Sequence, residues 1–316
     1  MFWILSLVLL AGLSILIVYN RQSVFNIVVY ETIHADRIFN YRSSKKIFRL
    51  KPKVRSKINA VLTMADPFLF VYKDELFMFY EEKSELNNGI IKGFKTQDLK
   101  NWTDLGVILS ETCHLSFPFI FEFDNEVYLM PETFDKMSLS LYRFENFPYG
   151  CTWSRELMSG PHFIDSHIYK QHDLFYLFSN KSDDELCLYY STDLMNWTQH
   201  PKSPIVEGNK YARSGGGIVS VRDKYYRIAQ DTSNIYGDNF HVFELKKLTV
   251  DDYEESLLLE NVIKKDLNWN AEGGHHFHSV FFNGRYITVF DGKKRVSYIE
   301  KISYPFFRFF QKLAEK

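Results

Sequence analysis

The sequence predicts an all-β fold, a five-bladed β-propeller preceded by a single N-terminal transmembrane helix. Two observations carry this prediction. A unit made of an apolar strand, a tight polar turn and a second strand rich in Tyr and Phe recurs five times along the 316 residues. A run of eighteen uncharged residues, at positions 2–19, comes before the first unit.

The turns of the five units set their spacing. Each turn is a polar pair suited to a β-hairpin, and the pairs are Lys73-Asp74, Asp124-Asn125, Gln171-His172, Arg222-Asp223 and Asn283-Gly284. The first residues after these pairs are 51, 47, 51 and 61 positions apart. A period near about fifty residues with a hairpin in each unit is typical of a propeller, and units of such similar length argue against a β-sandwich.

A string of the form Asp-Leu-x-Asn-Trp-Thr occurs twice, at 98–103 and at 193–198. Both copies follow the third strand of a unit, where the chain must turn toward the next strand. An Asp side chain can hydrogen-bond to backbone N–H groups two or three residues on and so stabilise a turn. We therefore predict that Asp98 and Asp193 are turn residues and not catalytic ones.

The uncharged run is close to the ~20 residues that a helix needs to cross a bilayer. A cleaved signal peptide is the alternative, but no basic residue precedes the run and no small-x-small site ends it. We expect a transmembrane anchor at 1–20, a basic juxtamembrane segment at 21–58, the propeller at 59–303, and an aromatic and basic C-terminal tail at 304–316. The expected location is a membrane, in a single-pass arrangement.

Charge is uneven along the chain. The totals of 38 basic and 39 acidic residues give no reason to expect a nucleic-acid partner. Between residues 20 and 60, however, ten basic residues face two acidic ones, a net of +8. Flanking positive charge favours the cytoplasmic side for the propeller, although the side stays open, and this basic run suits contact with anionic headgroups.

Polar residues at the starts of the inner strands of a propeller converge on one central pocket. The candidates at these starts are Asp66, His114, Ser116, Asp165, His167, Arg213, His275, His276 and His278. The candidates at the ends of the second strands are Glu82, Glu132, Gln230, Asp231 and Asp291. Trp269 is the aromatic residue best placed to hold a sugar face.

The histidine run at 275–278 raises the question of a metal site, since imidazole is a common ligand. No partner with ligand spacing is visible beyond Glu272. We therefore predict no metal and no cofactor, and hydrogen bonding to a sugar is the preferred role of these histidines. Cys113, Cys151 and Cys187 are far apart and form no disulfide or zinc pattern.

Four strings between residues 60 and 291 carry a family resemblance: "ADPFLF", "GVILSETCHLSFPFIFEFDNEVYLMPET", "DLMNWTQHPKSPIV" and "YRIAQD". They resemble the N-terminal domain of the glucosamine inositolphosphorylceramide transferase family. That domain is similar to the five-bladed propellers of glycoside hydrolase families 43 and 117. The resemblance implies a carbohydrate-related propeller with a glycan or glycoconjugate as its ligand and a glycosyltransferase as a partner. In the plant transferase the transfer activity resides in a separate C-terminal domain.

The resemblance also implies catalytic roles. Asp66 in "ADPF" matches the base of family 43, and Asp165 in "IDSH" matches the aspartate that modulates pKa there. Inverting hydrolysis needs two carboxyl groups roughly 6.5–9.5 Å apart. Family 43 takes its acid from a Glu of the fourth blade, where this chain has Arg213 followed by glycines.

Two substitutes for the missing acid stay open. His276 or His278 would act as in family 117, since the pKa of imidazole lies near neutrality. Alternatively, Glu132 would donate the proton if burial raises its pKa.

Three functions follow from these residues. The first is a glycosidase-like enzyme with Asp66, Asp165 and one of the candidate acids. The second is a catalytically inactive glycan-binding module that assists a separate glycosyltransferase. In both, the predicted ligand contacts are His114, His167, Arg213, Asp231, Trp269 and His275. The third is a purely structural propeller, which predicts a central cavity plugged by apolar side chains. The sequence therefore leaves open whether the protein is an enzyme.

Overall fold

The computed structural model describes residues 21–52, 61–84, 88–160, 163–266 and 268–297. Within these ranges 21 strands form five antiparallel sheets, the blades of a propeller. The same residues contain three short 3-10 helices, Ala35–Arg37, Tyr41–Ser43 and Phe134–Lys136. Among the described residues, no helix has the length and hydropathy needed to cross a bilayer. The predicted anchor at 1–20 and the predicted tail at 304–316 lie outside the described ranges.

The strands follow the predicted units in chain order, after two N-terminal strands, β1 (Arg21–Thr32) and β2 (Lys45–Leu50). Blade 1 contains β3 (Val61–Tyr72), β4 (Glu75–Ser84), β5 (Ile90–Thr96) and β6 (Thr103–Leu109). Blade 2 contains β7 (Ser116–Phe123), β8 (Glu126–Glu132), β9 (Ser138–Asn146) and β10 (Tyr149–Ser159).

Blade 3 contains β11 (Ile164–Gln171), β12 (Leu174–Ser182), β13 (Glu185–Ser191), β14 (Thr198–Gln199) and β15 (Val206–Glu207). Blade 4 contains β16 (Val219–Val221), β17 (Lys224–Asp231), β18 (Asn239–Leu248) and β19 (Tyr253–Leu259). Blade 5 contains β20 (Phe277–Phe282) and β21 (Arg285–Ser297), joined by β1 and β2. The inner strands touch their neighbours around the axis: β3 contacts β7 and β20, β7 contacts β11, and β16 contacts β20.

The N-terminal strands complete the fifth blade. β1 pairs with β21 along its whole length, from Arg21 opposite Ser297 to Thr32 opposite Tyr286, and β2 pairs with the outer side of β1. The segment 21–58, which the sequence suggested to be juxtamembrane, therefore supplies two propeller strands, and the expected boundary at 59 is corrected to β1. The basic residues of this segment obscured a strand whose Val and Ile side chains are buried.

Four of the five predicted turns lie where the sequence placed them. The third turn is His172-Asp173, one residue later than predicted, because Gln171 still pairs with Leu174 at the end of the hairpin. His172 has a φ of 55°, the left-handed conformation that tight hairpin turns require.

The repeated strings form the predicted turns. The carboxylate Oδ1 of Asp98 accepts hydrogen bonds from the backbone N–H groups of Lys100 and Asn101, at 2.9 and 2.8 Å. Asp193 makes the same two contacts in blade 3, both at 2.8 Å. These bonds hold the pKa of both carboxyls below the ordinary range. The recurrence is therefore architectural.

Asn26 joins β1 to the rest of blade 5. Its side chain is fully buried, and its Nδ2 donates to the backbone carbonyls of Trp269 and Gly292, both at 2.6 Å. Its Oδ1 accepts a hydrogen bond from Arg49 Nε at 3.2 Å. One side chain thus satisfies two buried carbonyls from the other end of the chain.

Replacing Asn26 with Ala is expected to lower the free energy of unfolding by about 2–4 kcal/mol, because two buried carbonyls lose their donors. Chemical denaturation monitored by circular dichroism measures the change. Asn40→Ala is the control, since that side chain is exposed and its loss should change stability by less than about 0.5 kcal/mol. Equal unfolding midpoints for the two variants would show that Asn26 does not hold the blade closed.

Candidate functional site

A polar residue occupies the same position in the second strand of every blade. In each of these strands it is the residue six places after the first one. For β4, β8, β12, β17 and β21 in turn, these residues are Glu81, Glu132, Asn180, Gln230 and Asp291. Side chains alternate along a strand, so equal offsets from the hairpin place these five on corresponding faces. We call them the axial set.

Members of the axial set connect one blade to the next. The Oε2 of Glu132 accepts a hydrogen bond from the backbone N–H of Asp165 at 2.9 Å, which joins blade 2 to blade 3. The Oδ1 of Asn180 accepts from the backbone N–H of Ser214 at 3.0 Å, which joins blade 3 to the chain that enters blade 4. The polar residues at the axis therefore fix the blades relative to one another as well as lining a cavity.

Bulges in the first strands direct side chains toward the same place. The pairing of β3, β7 and β11 shifts register near the residue that lies six places before the end of each strand. That residue is Asp66, Phe117 or Asp165, and all three have positive φ, at 51°, 44° and 46°. A bulge redirects a side chain and is frequent beside functional sites. Blades 1 and 3 thereby present a carboxyl group, while blade 2 presents an aromatic ring.

Four residues of these two sets, Asp66, Glu81, Glu132 and Asp165, line a cavity of about 220 Å³ near the axis. This volume is below the roughly 300–1,000 Å³ of clefts for drug-sized ligands, so the cavity suits a single ring-sized group. All five blades contribute to its lining, which consists of Phe25, Thr63, Ala65, Asp66, Glu81, Lys83, His114, Ser116, Glu132, Asp165, Arg213, Tyr236 and His275.

Aromatic rings lie beneath the cavity. The ring centroid of Phe68 is 4.7 Å from that of His276 and 5.1 Å from that of His278, and Phe117 lies 5.3 Å from His276. His167 is fully buried and stacks on Phe178 at 5.1 Å. The axis is thus filled by phenyl and imidazole rings in its lower part, and it is polar and open in its upper part, as the two glycan hypotheses predict.

His275 lies between two carboxyl groups. Its Nδ1 is 2.7 Å from Asp291 Oδ2, and its Nε2 is 3.4 Å from Asp66 Oδ1. Burial opposes a charge on the imidazole, but Asp291 and Asp66 outweigh it and raise the pKa of His275. Burial also raises the pKa of Asp66 to about 7, although His275 acts against that shift. Near neutral pH this group of residues shares protons.

Glu132 and Asp165 are in different electrostatic surroundings. Asp165 Oδ2 accepts hydrogen bonds from Arg213 Nε at 2.8 Å and from Gln230 Nε2 at 2.9 Å. Burial and the nearby charge of Asp165 raise the pKa of Glu132 to about 8, against the opposing effect of its backbone hydrogen bond and of Arg213. The pocket thus holds a carboxylic acid that keeps its proton at neutral pH beside a carboxylate paired with a guanidinium, the kind of contrast that separates acid from base in active sites.

Glu81 and His114 form the remaining polar side of the pocket. The Nδ1 of His114 accepts a hydrogen bond from the backbone N–H of Gly89 at 2.8 Å, and its Nε2 faces Glu81 Oε1 at 3.4 Å. Burial raises the pKa of Glu81 well above its ordinary value, and burial lowers the pKa of His114. Both effects favour a neutral pair.

Seven residues predicted from the sequence line this pocket: Asp66, His114, Ser116, Glu132, Asp165, Arg213 and His275. Three predicted histidines, His167, His276 and His278, lie below it instead. The Nδ1 of His278 accepts a hydrogen bond from the backbone N–H of Leu69 at 3.1 Å. Burial lowers the pKa of His278 to about 4 and that of His276 well below its ordinary value. Neither histidine lines the pocket, so Glu132 is the candidate acid that the pocket itself holds.

Two further predictions are corrected by position. Trp269 is 4% exposed and packs against Tyr30 and Tyr41 in the core, with ring centroids 6.4 and 5.5 Å away, so it offers no face to a sugar. Asp231 is one residue beyond the axial set and points away from the pocket. Its Oδ2 lies 3.3 Å from His241 Nε2, and its Oδ1 accepts a hydrogen bond from the backbone of Ser233.

Sequence reasoning missed several lining residues. It selected Glu82, but the residue that faces the cavity is Glu81. The Oε1 of Glu82 lies 3.5 Å from Lys92 Nζ instead. A signal for Glu81 existed, since the same six-residue offset that leads to Glu132 and Asp291 leads to it. Phe25 and Tyr236 come from the N-terminal strand and from a loop, and they carried no repeat signal.

Asp66, His275 and Asp291 each place one donor atom within 4.8 Å of the others. These residue types can hold a cation. The imidazole lies between the two carboxyl groups, however, and supplies a positive charge to the same place. We therefore assign the cluster to proton sharing.

Glu132→Gln is expected to change the pH dependence of stability. The pKa of Glu132 in the folded protein, about 8, exceeds the ~4.3 of an unfolded chain. The stabilisation that protonated Glu132 gives to the folded state is therefore fully present below about pH 4, and it is lost as the pH rises through about 8. Relative to wild type, the variant should gain about 3–4 kcal/mol of stability between about pH 5 and about pH 8, since each pKa unit corresponds to about 1.4 kcal/mol.

Urea denaturation at the two pH values measures this difference. Glu122→Gln, on the exposed side of the same blade, is the matched control and should leave the profile of the wild type unchanged. Parallel profiles for wild type and Glu132→Gln would mean that Glu132 is ionised in the folded protein.

Solved structures show the class of protein that this fold defines. The α-L-arabinofuranosidase PaAbf62A of Podospora anserina superposes with a TM-score of 0.58 at 11% identity, covering 76% of this chain and 93% of that one. A thermostable family 43 glycoside hydrolase superposes with a TM-score of 0.54 at 14% identity, covering 77% and 92%. The protein has the five-bladed propeller fold found in glycoside hydrolases.

The family is shown by sequence. Residues 52–293 match the family model described as glucosamine inositolphosphorylceramide transferase 1, N-terminal, and the chain belongs to this family. Glucosamine inositolphosphorylceramide transferase 1 of Oryza sativa subsp. japonica is 34% identical over 247 residues, which is 73% of this chain and 33% of that protein. The chain spans about a third of the length of this curated relative. The resemblance found in the four sequence strings is thereby confirmed.

Proposed function

We propose that this protein is a membrane-anchored carbohydrate-active propeller whose central pocket binds and processes a glycan or glycoconjugate. The observation that carries the proposal is the convergence of Asp66, Glu132 and Asp165 on one ring-sized cavity lined by all five blades. The family and the fold support a carbohydrate ligand. The uncharged run at 2–19 supports the anchor.

The proposed chemistry is inverting hydrolysis, with roles divided by environment. Glu132, with its pKa raised to about 8, holds the proton that the departing oxygen needs. Asp66 is the base that activates water, and the positive charge of His275 stabilises its ionised form. Arg213 fixes Asp165 through its Nε, so Asp165 sets the electrostatic potential of the pocket. This division meets the requirement for one protonated and one ionised carboxyl group.

A second candidate is a catalytically inactive glycan-binding module that assists a separate glycosyltransferase. The observation that favours it is the contribution of blade 4. Among the described residues, this blade lines the pocket with Arg213 and Tyr236 and with no carboxyl group. The length of the transferase relative, about three times the matched region, supports a partnership between this propeller and a transferase module.

Asp66→Asn distinguishes the two candidates. For an enzyme, turnover of the glycan should fall by about 10²-fold or more, because the base is lost, while the thermal midpoint stays near that of wild type. For a binding module, wild type shows no bond cleavage, and the variant weakens glycan binding. A screen of the purified full chain against aryl glycosides and glycan arrays identifies the ligand.

Asp98→Asn is the matched control, since it makes the same chemical change in the same blade at a turn outside the pocket. It should leave turnover and binding unchanged. Full retention of both properties by Asp66→Asn would contradict the assignment of this pocket under either candidate.

A further inference from the structure

Both ends of the described chain leave the propeller on the face where the pocket opens. β21 rises from the hairpin at Asn283-Gly284, passes Asp291 at the level of the pocket, and continues to Ser297. Ser297 pairs with Arg21, the first residue of β1. Six residues of strand span about 20 Å, so both ends project well beyond the pocket level on the same side.

The proposed anchor is close to this point. The uncharged run ends at Tyr19, and β1 begins at Arg21. Two residues span at most about 7 Å, which is too short a linker to let the propeller turn over. With residues 2–19 in a bilayer, the face that carries the pocket is therefore the face nearest to the lipid.

The rim of the pocket has the chemistry of a membrane interface. The loop between β17 and β18 carries Ile235 and Tyr236, whose side chains are 63% and 44% exposed. Beside it, the last part of β21 carries Lys293, Lys294 and Arg295. The Nζ of Lys293 donates to the backbone carbonyl of Tyr236 at 2.7 Å, and Arg295 is paired with Glu272. Aromatic side chains at headgroup level and basic residues near anionic lipid are both typical of interfacial surfaces.

The opposite face is different. It is formed by the hairpin turns, in which basic and acidic residues alternate, as in Lys73-Asp74 and Arg222-Asp223. Ile33 is exposed there, at 69%, next to the end of β1 that pairs with Tyr286. Basic residues also occur there, but Glu31 accepts hydrogen bonds from Lys45 Nζ at 2.8 Å and from Arg285 at 2.7 Å, so part of the positive charge of this face is paired.

We propose that the pocket face docks on an anionic lipid bilayer, with Ile235 and Tyr236 at headgroup level and Lys293 and Lys294 facing the lipid phosphates. The pocket then opens onto the headgroup layer, where a glycan is reached at the membrane surface. This inference rests on the anchor of the proposed function, and its test is independent of glycan binding.

The experiment compares two labels on the full chain. Ile235→Cys and Ile33→Cys are matched, since the two isoleucines are similarly exposed on opposite faces. Both variants also carry Cys151→Ser, which removes the native thiol that is partly exposed. The other two cysteines, Cys113 and Cys187, are buried and are kept. Each protein carries a fluorophore at the new cysteine and is reconstituted in vesicles of phosphatidylcholine and phosphatidylserine that contain a nitroxide-labelled lipid.

Quenching at position 235 is expected to be severalfold stronger than at position 33, and Lys294→Glu should reduce it in these vesicles. Equal quenching at the two positions, or stronger quenching at position 33, would overturn the proposal, as would a protein partner that shields position 235 from lipid. Glycan binding by the unlabelled wild type in detergent separates the two questions. Binding without the quenching difference rejects the membrane face alone, whereas the quenching difference without binding rejects the pocket function alone.

Discussion

The alternation of side chains along a β-strand is the constraint on which this molecule depends. In each blade the second strand begins after a tight hairpin, and the residue six places further on faces the axis. A shift of one residue would replace Glu81 by Glu82 at the pocket, and Gln230 by Asp231. The hairpin turns therefore determine which charges meet at the centre, although they lie on the opposite face of the propeller.

The convergence of these residues determines their electrostatics. Burial alone raises the pKa of a carboxyl group, and several such groups in one small cavity raise it further because their charges repel. The cavity relieves this repulsion unequally. Arg213 holds the negative charge of Asp165 and His275 partly offsets that of Asp66, whereas the pKa values of Glu132 and Glu81 stay raised. A pocket with graded proton affinities therefore follows from the geometry of the ring and from the position of two basic residues.

Much of the fold was predictable because it repeats. The hairpin period identified five blades, and the turn chemistry of Asp98 and Asp193 identified residues that carry no catalysis. The closure of blade 5 by β1 was not predictable from the repeat, because a strand supplied from the other end of the chain leaves no trace in the period. The predicted third turn was one residue early because Gln171 and His172 are both polar, and composition alone does not distinguish them.

The site was predictable where it follows the repeat and was missed where it depends on packing. Asp66, Glu132 and Asp165 were found from their place at strand starts and ends. His276 lies at a strand start and Trp269 lies in the loop before it, but aromatic neighbours enclose both, and the sequence around them does not distinguish a buried ring from one that faces a ligand. Phe25 and Tyr236 reach the pocket from parts of the chain that have no counterpart in other blades.

The central claim is that the pocket carboxyl groups differ in proton affinity because they converge. A ¹³C NMR titration of the side-chain carboxyls, with the spectra of Asp66→Asn and Glu132→Gln used for assignment, measures this directly. The account predicts apparent pKa values of about 7 for Asp66 and about 8 for Glu132. Titration of both groups near the ordinary ~4 of exposed carboxyls would contradict it.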